Sequence, residues 1–271
     1  MLYLVATPIG NLGDFSHRAV EVLTRCQYIL CEDTRHSSIL LKHYQIHRPL
    51  KSYHQFSEKR HLDEILSNLK QGSEIALISD AGVPLLCDPG HLLVVACREE
   101  KIPVTAIGIP CAALMGLIGS GFSPTPFQFI GFLDKQKTRL HEQLISLLSY
   151  QGTSIAYETP HRIQETLQHL LTIAPTRKLC LARELTKRYE EFLIGTPAEL
   201  LQHFDSTPPL GEFVLILEPP SVQEDWSDLS LKNHVEQVIQ TWNLSLNDAI
   251  KTVADMRGLP KRAVYRSIHQ G

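Results

Sequence analysis

Residues Glu74 to Gly90 read EIALISDAGVPLLCDPG. Ile75, Ala76, Leu77 and Ile78 form an apolar run that stops at Ser79-Asp80. Small residues, prolines and glycines follow, and a helical pattern begins after Gly90. A strand that is apolar at every position is covered on both faces, as in a parallel α/β sheet. Ligands of such sheets gather beyond the carboxyl ends of the strands. Asp80 then stands at a strand end, Gly82 leaves the backbone bare beside it, and Asp88 supplies a second acid. The same residues suit a plain strand, tight loop and helix cap, so this stretch decides the fold class but not the function.

The same alternation extends in both directions. Upstream, Leu2–Ala6 and Tyr28–Cys31 read as strands, each followed by a polar loop, TPIGNLG from Thr7 and EDTRH from Glu32. Asp14 or Ser16 caps a helix carrying Ala19, Val20 and Leu23, and another helix carries Ile39, Leu40 and Tyr44. Ser57 precedes a helix whose Leu62, Ile65, Leu66 and Leu69 form an amphipathic stripe, ended by Gly72. Downstream, Val104–Ile107 is a strand that leads into GIPCA and a helix of small residues. Strands alternating with helices predict right-handed βαβ units and a mainly parallel sheet.

SGFSPTP, from Ser120 to Pro126, marks a boundary between a first domain of residues 1–118 and a second of 119–220. The second holds strands at Phe127–Phe132, Thr153–Tyr157, Leu179–Ala182, Glu191–Ile194 and Phe213–Leu217. The third and fourth follow each other too closely for a crossover, which predicts an antiparallel pair and a mixed sheet. Residues 221–271 read as an acidic linker and a small helical unit, Leu246–Met256, then Gly258-Leu259-Pro260, then Lys261–Ile268. The expected class is α/β, with two α/β domains and a small helical C-terminal unit.

Hydrophobic residues make up 43% and charged residues 20%, a globular profile in which no apolar run is long enough for a membrane span. MLYLVATPIG lacks a basic n-region and reads as a first strand rather than a signal peptide. There are six cysteines and no CxxC pair, and Cys26, Cys31, Cys97 and Cys180 fall in apolar patterns, which suits reduced core thiols of a cytoplasmic protein. Thirteen histidines occur without an HExxH or paired Cys/His spacing, so no metal is expected. The net charge of −3 argues against indiscriminate nucleic-acid binding. Basic residues do cluster locally, at Lys135, Lys137 and Arg139, at Arg183, Lys187 and Arg188, and in the tail after Lys251.

The polar signatures TPIGN, EDTRH, SDAGVP, IGIPCA, YETPHR and RELTK all follow predicted strands, which suggests polar groups converging at a crevice between domains. In order, ATPIGNLGD, EDTRH, LISDAGVPLLCDPG, YETPHR, ARELTK and GEFVLILE resemble one branch of the tetrapyrrole-methylase superfamily, the branch that methylates ribose 2′-oxygens of small-subunit ribosomal RNA. The resemblance runs from Leu2 to Glu218, and LNDAIKTVADMRGLPKRAVYRSI is similar to the branch's small C-terminal unit.

That resemblance implies S-adenosylmethionine (SAM) held in a cleft between two α/β domains, a homodimer, and a 2′-O-methylated cytidine in the decoding region of 16S ribosomal RNA. It places Pro8, Asp80, Gly82, Val83, Leu86, Cys111, Ala112, Tyr157 and Glu158 at the cofactor. Relatives commonly carry Thr at Val83 and PGPSA where this chain reads GIPCA, so a hydroxyl contact is missing at each place. Methyl transfer to a ribose hydroxyl needs alignment and a base or charged neighbour, but no metal. Glu32 and Asp33 with Arg35, and Glu184 with Lys187, are the candidates. Asn11, Lys135, Lys137, Arg139, Arg162, Arg183, Lys261 and Arg262 are the candidates for RNA, from 16S rRNA or the small subunit. Two alternatives remain at this point, a porphyrinoid methylase and a SAM- and RNA-binding assembly factor without catalysis. ATPIGN, in place of a GxGPG loop, disfavours the first.

Overall fold

The computed structural model describes residues 1–54, 58–108, 110–220, 229–242 and 244–269, with Lys59 and Arg60 described for their backbone only. The expected cap Ser57, Ile109 of GIPCA, and the acids Glu224, Asp225 and Asp228 lie outside the described residues. The chain forms two compact units, Met1–Met115 with Leu185–Arg188, and Gly116–Glu184 with Tyr189–Gly271.

The first unit contains β1 (Leu2–Val5), α1 (His17–Arg25), β2 (Tyr28–Cys31), α2 (Thr34–His43), β3 (Leu50–Ser52), α3 (Glu58–Lys70), β4 (Ile75–Ile78), α4 (His91–Glu99) and β5 (Val104–Ile107). The division between units falls inside α5 (Ala112–Gly119). The strands lie in the order β3-β2-β4-β1-β5, and every pairing is parallel. The apolar run of the opening stretch is therefore a central strand. Its alternate residues serve two cores. Ala76 and Ile78 pack with Val22, Leu23 and Leu41 of α1 and α2, while Ile75 and Leu77 pack with Ile65, Leu69, Leu93 and Cys97 of α3 and α4. Truncating Leu77, 1% exposed, to Ala would cost about 2–5 kcal/mol. Ser16 caps α1 by accepting from the Ala19 amide at 3.1 Å. β3 is an edge strand of three residues that no sequence pattern announces.

The second unit contains β6 (Phe127–Phe132), α6 (Lys137–Ser149), β7 (Thr153–Glu158), α7 (Ile163–Ile173), β8 (Leu179–Arg183), β9 (Glu191–Gly195), α8 (Pro197–Ser206), β10 (Phe213–Leu217), α9 (Leu231–Trp242), α10 (Leu246–Met256) and α11 (Lys261–His269). Its order is β6-β7-β10-β8-β9. The β6–β7 pair is parallel and the other pairs are antiparallel, the expected mixed sheet. β10, last in sequence, is the middle strand, and all five of its residues are buried. Thr196 and Glu199 form a capping box at α8, with Pro197 in the first turn.

α9 corrects the reading of an uninterrupted linker. Val235, Val238 and Trp242 recur at helical spacing and pack with Ala249, Ile250, Val253 and Val264 and with Ile145 of α6. Lys251 of α10 also pairs with Glu142 of α6 at 3.3 Å. The C-terminal helices thus share a core with the second unit. Among them His234 is fully buried, and its Nδ1 accepts from Arg257 Nε at 2.9 Å. Burial first, and the Arg257 charge second, push its pKa down to about 4.

Candidate active site at the strand ends of the first unit

The loops after β1, β4 and β5 meet at Gly82. Thr7 and Gly82 form an isolated bridge: the Thr7 amide donates to the Gly82 carbonyl at 2.8 Å, and the Gly82 amide to the Thr7 carbonyl at 3.0 Å. Ser79 Oγ also donates to the Gly82 carbonyl, at 2.8 Å, and Thr7 Oγ1 donates to the Ser79 carbonyl at 3.1 Å. Gly82 has φ +79°, and a β-carbon there would lie 3.3 Å from both Ile9 Cγ2 and the Pro110 carbonyl oxygen. Both the conformation and the space therefore call for glycine. Around this junction Pro8, Val83 and Ala112 are half-buried, Cys111 is buried and Leu86 is exposed. Leu85 and Cys87 have φ of 74° and 70°, so the loop holds two side-chain-bearing residues in left-handed backbone. Such strain costs about 1–3 kcal/mol per residue and gathers at functional loops. Glu58 of α3 secures the far end by accepting from the Gly90 amide.

Four acids stand near these ends. Asp33 caps α2, accepting from the Arg35 amide at 2.8 Å, and its carboxylate pairs with the Arg35 guanidinium at 2.9 Å. Arg35 holds its pKa down to about 2. The Asp33 amide donates to Asp80 Oδ1 at 3.3 Å, which ties the β2 loop to the β4 loop. Glu32, Asp33, Arg35, Ser52, His54 and Asp80 line a pocket of about 600 Å³. Asp88, which was not among the expected site residues, is half-buried. Burial, and then the charges of Glu32 and Asp80, raise its pKa to about 6. The sequence shows the acid, but not the burial and the neighbours that tune it.

Lys187 belongs to the first unit's Leu185–Arg188 segment, and its stem lies against Gly10. Asn11, beside Gly10, is exposed and caps the short turn Leu12–Asp14 by accepting from the Gly13 amide at 2.9 Å. In the second unit Glu184 has φ +51° and packs over Gly211, where a β-carbon would fall 2.2 Å from Glu184 Oε1. Arg183 pairs with Glu191 across β8–β9, with Nε to Oε2 at 2.7 Å. Tyr157 packs edge-on to Phe129 and Phe132, with ring centroids 4.8 and 5.3 Å away. Glu158 is fully buried and accepts from the Thr159 amide and from Thr166 Oγ1, each at 2.8 Å. Arg162 donates to the carbonyls of Leu133 and Asp134 and lies 3.5 Å from Glu158. Both side chains of this pair therefore tie β7 and α7 to the end of β6.

Lys137 pairs with Glu165 at 3.6 Å and Arg139 with Asp134 at 3.6 Å, while Lys135 is exposed. Lys261 and Arg262 are exposed in the first turn of α11. No group of three or more His, Cys, Asp or Glu residues that could hold a metal occurs among the described residues, nor any helix long and apolar enough to cross a membrane.

The profile of the tetrapyrrole (corrin/porphyrin) methylases matches residues 1–201. The chain belongs to the tetrapyrrole methylase family. It is 42% identical to the ribosomal RNA small subunit methyltransferase I of Halalkalibacterium halodurans, over 99% of this chain and 94% of that protein. It is 41% identical to the protein of the same name from Bacillus subtilis, with the same coverage, and 40% to that of Synechocystis, over 98% and 96%. The fold is similar to uroporphyrin-III-C-methyltransferase from Thermus thermophilus, with a TM-score of 0.55, 17% identity, and coverage of 80% of this chain and 93% of that one. A putative diphthine synthase from Entamoeba histolytica gives 0.58 at 18% identity, over 83% and 94%. These structural neighbours share the two α/β domains, and the family is one of methyltransferases.

The residues of the first unit fit SAM. The Gly82 amide and carbonyl are taken up by Thr7 and Ser79, so Gly82, closed by Pro110, would shape the loop against the cofactor rather than bond to it. The Asp80 carboxylate, which accepts from the Asp33 amide and lines the pocket, would be an acceptor of the kind the cofactor's hydroxyls or ammonium need. Val83 offers packing only, as its side chain carries no hydroxyl.

Proposed function

We propose that this protein uses SAM to methylate the 2′-oxygen of a cytidine ribose in the decoding region of 16S ribosomal RNA, and works as a cytoplasmic homodimer. The observation that carries the reading is near-full-length similarity, at 40–42% identity, to relatives named ribosomal RNA small subunit methyltransferase I. It is supported by the pinned loops around Gly82 and by the acids beside them.

Bound SAM supplies an electrophilic methyl group on a sulfonium. The chain must orient that methyl toward the ribose, exclude water and accept one proton. Asp80 and the Cys111–Ala112 amides would hold the cofactor, with Gly82 fixing the loop between them. When bound, SAM would give its methyl to the 2′-oxygen and keep the carbon–sulfur bonding pair on sulfur, which leaves the hydroxyl proton to the chain's own residues. The departing hydroxyl proton needs a base whose pKa lies near the working pH. Asp33, held at about 2, is a weak one, whereas Asp88, at about 6, is matched to the task. Lys135, Lys261 and Arg262 are exposed cations for phosphates.

Labelled SAM incubated with small ribosomal subunits from a strain lacking this gene tests the reading. Label in the ribose of a decoding-region cytidine is the expected result. Label appearing only in a porphyrinogen overturns it in favour of a tetrapyrrole substrate.

A further inference from the structure

Gly10 has ordinary backbone geometry, so its lack of a side chain answers to space rather than to φ. A β-carbon at Gly10 would lie 2.5 Å from Lys187 Cγ, 2.9 Å from its Cε and 3.1 Å from Thr186 Oγ1. Real β-carbons essentially never approach within 3.0 Å. Cγ is near the root of the lysine, so turning the far end of the side chain does not relieve the clash.

The partner segment is itself fixed. Thr186 has φ +65° and Glu184 φ +51°, while Leu185 between them is buried at 6% exposure. Non-glycine residues persist in that backbone only where the surroundings over-determine them. Gly10 directly follows Ile9, whose Cγ2 lies against Gly82. The lysine stem is thus laid along the loop that is bonded to the SDAGVP backbone through Thr7. This chain of contacts lies within the first unit.

We propose that Gly10 is a positioning residue: its bare backbone seats Lys187 so that the ammonium stabilises the ribose 2′-oxygen as it loses its proton. A cation near a weakly acidic hydroxyl favours the oxyanion. The inference rests on the ribose-methylation reading and adds to it the residue that aims the cation.

Four forms of the full chain test it: wild type, Lys187→Ala, Gly10→Ala, and the double variant. Single-turnover methyl transfer from labelled SAM to small subunits lacking the methyl group gives the rate. Calorimetry gives SAM affinity, and thermal melting gives stability. Lys187→Ala should slow turnover by at least about tenfold, with SAM affinity kept within about threefold. The gap should hold constant as the pH is raised, because well below the hydroxyl's own pKa a nearby cation multiplies the ionised fraction by a fixed factor. Gly10→Ala should slow turnover by a similar factor. The double variant should be no slower than Lys187→Ala, and should melt above Gly10→Ala, since the clashing Cγ is gone.

Losses that multiply in the double variant would show that Gly10 acts independently of Lys187 and overturn the proposal. So would wild-type turnover in either single variant. If Gly10→Ala fails to fold, the double variant and Lys187→Ala still decide the matter through their rates and pH response. A wild-type protein that labels no ribose sinks the functional reading instead, so the two failures are distinguishable.

Discussion

Buried His234 makes the C-terminal helices sensitive to acid. In the unfolded chain its imidazole binds a proton near pH 6.5, but in the folded protein only near pH 4. The unfolded state therefore takes up the proton first as the pH falls. Stability is fully present above about 6.5 and is lost as the pH drops toward 4. Between about pH 7 and about pH 5 the loss comes to about 2 kcal/mol, at 1.36 kcal/mol per unit. Urea unfolding at the two pH values measures it. Trp242 is buried among the same helices, and a Trp226→Phe background leaves it as the one tryptophan reporter. His234→Gln keeps an acceptor for Arg257 Nε and removes the titration. Its stability should fall by about 2 kcal/mol less than wild type over the same interval. The twelve other histidines are common to both proteins, so they cancel in the comparison. Equal losses in the two proteins would refute the argument.

Other outcomes follow from the site and the surface. Asp88→Asn should remove the rise of single-turnover rate with pH that wild type shows through about pH 6, where the aspartate becomes a base; an unchanged profile excludes Asp88 as proton acceptor. Asp80→Ala should weaken SAM binding, and unaltered affinity by calorimetry would take Asp80 out of the site. Lys261→Glu with Arg262→Glu should weaken subunit binding and flatten its salt dependence by about two units of slope if both touch phosphate; an unaltered slope argues for a packing role. Native protein should react quickly with a thiol reagent at exposed Cys87 alone, since the other five cysteines are buried and burial lifts Cys26 to about 11 and Cys180 to about 12. Rapid modification of several thiols would contradict that core.

Much of this architecture can be read in the residues themselves. Central strands such as β4 and β10 are apolar throughout because both faces are covered, and that pattern is local. β3 escapes a sequence reading because Leu50-Lys51-Ser52 is short, with Lys51 and Ser52 exposed, and only its pairing with β2 makes it a strand. α9 is hidden among polar residues, and its stripe has meaning only against α10 and α6. At the site, Asp80 and Gly82 are legible as strand-end residues. Asp88 is not, because its tuning comes from burial and from Glu32, far back in sequence. Glu158 and Arg162 stand in a motif that resembles a site, yet the structure gives their side chains to internal bonds. Gly10 reads as a turn glycine, and the neighbour that demands it lies at Lys187.

The central place of β10 governs when the molecule can be finished during synthesis. β7 and β8 are neighbours in the chain's first two hundred residues, but in the sheet they are joined only through a strand that ends at Leu217. Until that strand leaves the ribosome, two long apolar edges stand open, a state prone to pairing with other chains. The first sheet meets no such delay, because all five of its strands precede residue 108. Yet the segment Leu185–Arg188, which completes the first unit, is delivered between β8 and β9. A nascent chain can therefore assemble its parallel sheet early and still lack Lys187. The first unit is thus begun by the opening hundred residues and closed only after β8 has been made, so the two units are completed in an interleaved order.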